Sequence, residues 1–275
     1  MGKIYHVEFP GLNLKFNISP IAFKICNIPV YYYGILISTG FLLAFLYVIK
    51  NSKRFNLEQD SLIDVIMTGA VTAIAGARLY YVAFYTGDTF IKNPIKILFI
   101  NEGGLAIYGG LIGAILGGLV VSKIKHLNFL AILDIASLGF LIGQAIGRWG
   151  NFTNQEAFGT VTGSIFRMVS ENTSMQPVHP CFLYESTWCL IGFILIHALS
   201  LKLRKYDGQV FLLYTLWYGT GRFFIESLRT DSLFIPNSPF KISQLIAAIT
   251  AISSVSLLIY NYFKPKILHF RGDTF

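Results

Sequence analysis

Long apolar runs limit what this chain can fold into. They lie at about 30–49, 62–84, 105–121, 129–146, 182–201, 210–225 and 242–260, and most reach 17 to 20 residues. That is the length of helix that crosses a hydrocarbon core of roughly 30 Å. Only 13% of the 275 residues are charged, against about 25% in soluble domains, and the mean hydropathy is +0.58. Too little polar surface remains to cover a globule in water. The expectation is an all-α, polytopic integral membrane protein of seven transmembrane helices.

An odd number of spans puts the two termini on opposite sides, and basic residues choose the sides. The first, third and fifth loops are short and basic, with Lys50, Lys53 and Arg54, then Lys123 and Lys125, then Lys202, Arg204 and Lys205. The tail adds Lys264, Lys266 and Arg271. The positive-inside rule therefore predicts an outer N-terminus and a cytoplasmic C-terminus. The net charge of +8 is then explained by cytoplasmic loops facing anionic lipid rather than by nucleic acid. Residues 1–29 read as an interfacial arm rich in turn residues, 30–260 as the bundle and 261–275 as a cytoplasmic tail, together forming one membrane-embedded domain. Pro10, Asn13, Asn17 and Pro20 leave the first 28 residues without the apolar core of a cleavable leader. The loop from Tyr85 to Gly104 reads as a short helix lying in the interface.

At the end of the fourth run stands Gly147-Arg148-Trp149-Gly150-Asn151-Phe152-Thr153-Asn154-Gln155-Glu156-Ala157-Phe158-Gly159. Each glycine costs about 1 kcal/mol relative to alanine inside a helix, so the stretch is expected to be a turn. Its N–H groups and guanidinium suit an anion, although a polar loop that merely ends a helix fits the same residues. Glycines recur every fourth residue at Gly109, Gly113 and Gly117, and again at Gly139, Gly143 and Gly147. Such ladders let helices approach closely in lipid, and the two are expected to pack on one another.

Ionisable groups in or beside membrane spans are costly and face a cavity or each other. Arg78, Arg148, Glu185, Arg222, Glu226 and Arg229 are such groups here. Arg78 also fits a side chain snorkelling to the interface, and Glu185 and Glu226 fit neutralisers of arginine. Tyr218, Arg222, Glu226 and Arg229 fall on one helix face, with Arg222 and Glu226 spaced for an i,i+4 ion pair. His179, before Pro180, suits a hydrogen-bonded loop residue. Arg148 and Arg222 map to the same outer level, and two guanidinium forks match phosphate oxygens. Asn151 and Asn154 add neutral donors for glycerol hydroxyls or ester carbonyls. A phospholipid is the ligand expected at that depth.

These residues resemble a known family, the bacterial prolipoprotein diacylglyceryl transferases. The resemblance rests on Gly147-Arg148-x-Gly150-Asn151-Phe152-x-Asn154-x-Glu156-x-x-Gly159. It also rests on Tyr33-Gly34, Gly76-x-Arg78, Gly103-Gly104 with Gly109-Gly110-Leu111-Ile112-Gly113, His179-Pro180 with Tyr184-Glu185, and Tyr218-Gly219-x-x-Arg222 with Glu226. The blocks occur in family order over about residues 18 to 260. The resemblance implies a seven-helix bundle in the bacterial inner membrane with its active site towards the outer leaflet. It implies transfer of diacylglyceryl from phosphatidylglycerol to the lipobox cysteine of prolipoprotein signal peptides. A thioether forms, glycerol 1-phosphate departs, and no metal or organic cofactor is implied. By the same carry-over, Arg148, Arg222, Asn151, Glu156 and Tyr108 would serve catalysis. Arg148, Asn151, Asn154, Gly159, Tyr33, Tyr218, Arg222, Glu226, Arg78 and His179 would hold the lipid. Many relatives carry a histidine where this chain has Tyr108, which leaves open what takes the thiol proton.

Cys26, Cys181 and Cys189 show no metal-ligand spacing, and Cys189 reads as a small core residue. A transporter for an anionic lipid would also need intramembrane arginines, but it predicts paired broken helices and internal repeats, and neither is evident. A non-catalytic scaffold would have no use for Arg, Asn and Glu at the bilayer edge.

Overall fold

The computed structural model describes residues 4–100, 103–235 and 238–263, so the basic tail residues Lys264, Lys266 and Arg271 lie outside the described residues. The chain divides into two compact units, a larger one of residues 1–48 with 133–275 and a smaller one of residues 49–132.

The described chain is mostly helical. Seven of its helices have 18 residues or more: α1 Tyr32–Asn51, α2 Gln59–Ala83, α4 Ile107–Ile124, α5 Phe129–Asn154, α6 Cys181–Lys202, α7 Gln209–Leu228 and α8 Ile242–Phe263. Each takes in one apolar run. Six are long and apolar enough to cross a membrane, and α7 is long enough but too polar to count with them. The reason lies in its sequence, where Gln209, Thr215, Thr220, Arg222 and Glu226 dilute the apolar residues. The glycine-rich run, α4, does count among the six.

The expected irregular arm is instead β-structure. In the larger unit, β1 Tyr5–Phe9 and β2 Leu14–Ile18 pair antiparallel, and β5 Val169–Ser170 joins the other side of β1. β1 alternates as a half-buried strand should, with Tyr5, Val7 and Phe9 buried in a cluster with Met168, Val178 and Phe182. A second hairpin, β3 Ile21–Ile25 with β4 Ile28–Tyr31, turns at Cys26 and Asn27 and leads straight into α1. Both turn residues have positive φ, 46° and 67°, the geometry that matches the twist of a two-residue hairpin. The all-α expectation is therefore corrected to a mostly helical chain with two small sheets, built from four strands before α1 and one after α5.

A second correction concerns residues 147–159. Helix α5 continues through Arg148 and Gly150 to Asn154, and the turn is confined to the residues after it, where Gln155 and Ala157 have φ of 53° and 58°. Close packing offsets the helix cost of the glycines. A Cβ on Gly150 would lie 2.6 Å from the Tyr33 ring, and one on Gly147 would lie 3.1 Å from Ile37, both on α1. Further down the same helix, Gly143 backs on Gly40, and a Cβ on Gly139 would press on Val48 at 3.0 Å. The ladder of α5 thus serves α1.

In the smaller unit the other ladder serves α2. A Cβ on Gly109 would stand 2.3 Å from the Gly76 carbonyl oxygen, and one on Gly113 would stand 2.1 Å from that of Thr72. Each ladder is thus filled by a helix of its own unit. The segment between α2 and α4 holds a helical turn, α3 Thr89–Lys92, followed by a 3-10 turn at Pro94–Leu98.

These distances separate two neighbouring glycines. Gly110 has only ordinary contacts at 3.5 Å to Ala73 and Ala77. Gly113→Ala overpacks the α2–α4 contact by about 1–3 kcal/mol, lowering the thermal midpoint in detergent by roughly 2–10 °C. Gly110→Ala should leave the midpoint within about 2 °C of the parent, and equal effects of the two changes would contradict this packing.

Candidate active site

The helices of the larger unit bring polar side chains together at one end. α5 and α7 arrive there with their C-terminal halves, and α1 and α6 start there. Glu185, in the first turns of α6, is 1% exposed. Its Oε1 lies 2.5 Å from Arg148 Nη2 on α5, and its Oε2 accepts from Arg222 Nη1 on α7 at 3.0 Å. Tyr218, one turn before Arg222, donates its hydroxyl to Oε1 at 3.2 Å. One buried carboxylate on α6 therefore joins two guanidiniums and a phenol from α5 and α7. A carboxylate in that position is stable only because it is paired and hydrogen-bonded.

Arg222 Nη2 also stands 2.6 Å from Glu226 Oε2 without hydrogen-bond alignment, the i,i+4 pair that the spacing predicted. Among Arg148, Arg222, Glu185 and Glu226 the formal charges cancel. Exposure does not. The two carboxylate side chains are 2% exposed, while those of Arg148 and Arg222 keep 23% and 16%. The acids form the floor, and the guanidinium edges remain reachable.

The rim comes from the end of α5 and the turn after it. Arg148 Nη1 donates to Asn151 Oδ1 at 3.3 Å, and Asn151 Nδ2 donates to Glu156 Oε1 at 2.9 Å. Asn154 Nδ2 reaches the same Glu156 oxygen at 3.3 Å. Glu156 thus orients the two amides, with one relay step to Arg148. Trp149 donates to Ser186 Oγ at 3.1 Å, and Ser186 donates to the Ala145 carbonyl at 2.7 Å, holding α5 to α6 beside the carboxylate. The Tyr33 ring packs against Gly150, and the residue is 39% exposed.

Gly159 anchors this turn. Its N–H donates to the His179 carbonyl at 2.9 Å, and the N–H of Thr160 donates to that of Leu228 at 2.8 Å. A Cβ on Gly159 would lie within 2.9 Å of His179 Cβ, Cys181 Sγ and the Leu228 carbonyl oxygen, so only glycine fits. His179 sits in this frame with Nδ1 3.2 Å from the Tyr184 hydroxyl, and burial lowers its pKa. Lys241 closes the end of α7 by donating to the carbonyls of Glu226, Ser227 and Arg229. Cations are favoured at a helix C-terminus. Arg229 forks to both oxygens of Asp231 at 2.9 and 2.7 Å, and this hydrogen bonding holds the Asp231 carboxyl below its usual range. A depressed acid pKa stabilises the fold above the unfolded value, and that contribution fades as the pH falls through the lowered one.

Two candidates stand in the smaller unit, in settings of their own. Arg78 is 6% exposed and gives its donors to backbone carbonyls. Nε reaches Ile97, Nη1 reaches Gly103 and Gly104, and Nη2 reaches Lys96 and Phe99, at 2.6–3.2 Å. It ties down the loop after α3 rather than snorkelling to the interface. Tyr108 stands in the first turn of α4 and is 49% exposed.

Reasoning from the residues singled out Glu185 only as a neutraliser of arginine, and its place at the centre went unforeseen. The signal was an acid in an apolar run, without any hint of which arginines it would meet. Lys241 and Asp231 carried no such signal.

The chain is similar to proteins of one family. The family model described as prolipoprotein diacylglyceryl transferase matches residues 20–260. Among curated relatives, the phosphatidylglycerol–prolipoprotein diacylglyceryl transferase of Bacillus licheniformis is 40% identical over 261 residues, covering 90% of this chain and 94% of that protein. The protein of the same name from Enterococcus faecalis is 40% identical, covering 94% and 95%. That of Staphylococcus aureus is 38% identical, covering 92% and 93%. With a match of this extent, the chain belongs to the prolipoprotein diacylglyceryl transferase family.

Proposed function

We propose that this protein transfers the diacylglyceryl group of phosphatidylglycerol to the thiol of the lipobox cysteine of a prolipoprotein, the first step of bacterial lipoprotein maturation. The observation that carries the reading is the pair of guanidiniums, Arg148 and Arg222, held on the buried Glu185 with their edges accessible. The family membership and the names of the relatives support the same reaction.

In this reaction the thiol sulfur attacks the carbon of the diacylglyceryl group that carries the phosphate ester oxygen. The S–C bond forms, the C–O bond breaks, and its electron pair leaves on glycerol 1-phosphate. The thiol proton goes to a base or to water. A free thiol has a pKa of about 8.5, so the proton has to be removed or the pKa lowered before attack. The leaving phosphate gains negative charge as the bond breaks, and prepositioned guanidinium donors in a dry site stabilise that charge. Each fork can present two N–H groups to phosphate oxygens. Asn151, Asn154 and Glu156 suit the glycerol head group, with Tyr33, Tyr218, Gly159, His179 and Glu226 shaping the pocket around it. Arg78 holds the outer loop through its carbonyl bonds. Tyr108 belongs to the site in this reading, with its role as the base left to the test below.

The whole chain acts as one transferase domain in the bacterial inner membrane, with α7 as a seventh crossing. Its N-terminus is outside, its C-terminus cytoplasmic and its active site towards the outer leaflet. Lys50 and Lys202, at the far ends of α1 and α6 from Tyr33 and Glu185, support that orientation.

Purified protein in phosphatidylglycerol vesicles should release glycerol phosphate and add diacylglyceryl mass to a lipobox peptide. Arg148→Ala and Arg222→Ala should each lower the rate at least about 100-fold, the scale of losing one charge-stabilising donor, with the helical CD spectrum kept. Rates within a few-fold of the parent would overturn the two-arginine reading. Tyr108→Phe is expected to keep the parent rate within about threefold, whereas removing a general base costs roughly 100-fold or more. A loss of that size would make the phenol the base.

A further inference from the structure

Below the charged cluster, α6 and α7 hold each other through a reciprocal device. Each helix carries a tryptophan followed four residues later by a glycine, Trp188 with Gly192 on α6 and Trp217 with Gly221 on α7. The two indoles stack with ring centroids 4.3 Å apart and planes 16° from parallel. Trp188 Nε1 donates to the Trp217 carbonyl at 2.9 Å, and Trp217 Nε1 donates to the Trp188 carbonyl at 3.0 Å. Each indole also lies on the opposing glycine. A Cβ on Gly221 would stand 2.1 Å from Trp188 Nε1, and one on Gly192 would stand 2.3 Å from Trp217 Nε1. No side chain larger than hydrogen fits either seat.

A clasp of this kind has one register. Sliding one helix by a residue moves it about 1.5 Å along its axis and turns it by about 100°. Both hydrogen bonds would break together, and both indoles would lose their glycine seats. In lipid an unpaired N–H has no water to turn to, so the penalty is larger than in a soluble bundle. Glu185 lies three residues before Trp188, while Tyr218 and Arg222 lie one and five residues after Trp217. The carboxylate that joins the two arginines is therefore within about one to two turns of the clasp on both helices.

We propose that Trp188 and Trp217 are positioning residues for the transfer reaction, locking the register of α6 against α7 so that Glu185 meets Tyr218 and Arg222. The proposal rests on the reading of Arg222 and Glu185 as the reactive cluster. A misplacement of 1 Å in such a cluster costs about 100-fold in rate, which is ample reason for a lock one turn away.

The test uses Trp188→Phe, Trp217→Phe, the double variant and Gly221→Ala, each in phosphatidylglycerol vesicles with a lipobox peptide. Phenylalanine keeps an aromatic ring and removes the N–H, whereas Gly221→Ala keeps both indoles and removes one seat. The wild type should show a far-UV exciton couplet that either phenylalanine variant abolishes. kcat should fall about tenfold or more with KM for the peptide within twofold. The double variant should lose no more than the worse single one, as residues acting as a unit do. Wild-type kcat without the couplet overturns the proposal, and so do losses in the singles that multiply in the double. Variants that unfold in detergent also count against it, since the pair would then be a plain structural contact. Arg222→Ala run alongside separates the two readings. If it stays active, the cluster reading fails. If it is dead while the phenylalanine variants turn over normally, only the clasp fails.

Discussion

The buried carboxylate of Glu185 is the interaction on which the active end of the larger unit depends. A charge in that position is tolerated only when its oxygens are met by donors, and here they face Arg148, Arg222 and Tyr218. Removing one partner would leave a buried charge uncompensated, at a cost of about 3–5 kcal/mol. The helices that supply the partners are therefore not free to drift. α5 and α7 have to end, and α6 has to begin, at one level.

Around that constraint the larger unit uses close packing rather than further charge. Gly40 and Gly143 bring α1 against α5, Gly150 seats Tyr33, and Gly159 lets three backbone segments meet behind the rim. At the opposite end of α7, Asp134 on α5 accepts from the N–H groups of Gly208 and Phe211 and from Arg204 Nε. This acid caps a helix from a neighbour, satisfying donors that the first turn leaves open. α7 is thus fixed at both ends, by Asp134 at its start and by Lys241 at its finish. The guanidinium of Arg222 is carried on a helix with little freedom to slide, which suits its proposed role of meeting a phosphate in one place.

The apolar runs and their ends could be read from the residues because a 30 Å hydrocarbon core imposes length and composition directly. So could the Arg222–Glu226 pair, since i,i+4 contact is local. The family blocks identified the polar residues around Arg148 by type. What escaped were features decided by distant partners. Gly147 and Gly150 argue for a turn until the α1 surface they fit is known. Strands of five residues such as β1 carry too short an alternation to stand out beside turn residues. Arg78 binds carbonyls 18 to 26 residues away, and backbone acceptors leave no trace in side-chain chemistry. Trp188 and Trp217 are 29 residues apart, and only the crossing of their helices makes them a pair.

The proposed role of Arg148 and Arg222 is to receive jointly the phosphate of phosphatidylglycerol above the Glu185 floor. An experimental structure with that lipid bound tests it most directly. Phosphate oxygens are expected within about 3 Å of guanidinium nitrogens of both arginines, the range of a charge-assisted hydrogen bond, with Glu185 still bridging them from beneath. A phosphate bound away from either arginine would contradict it.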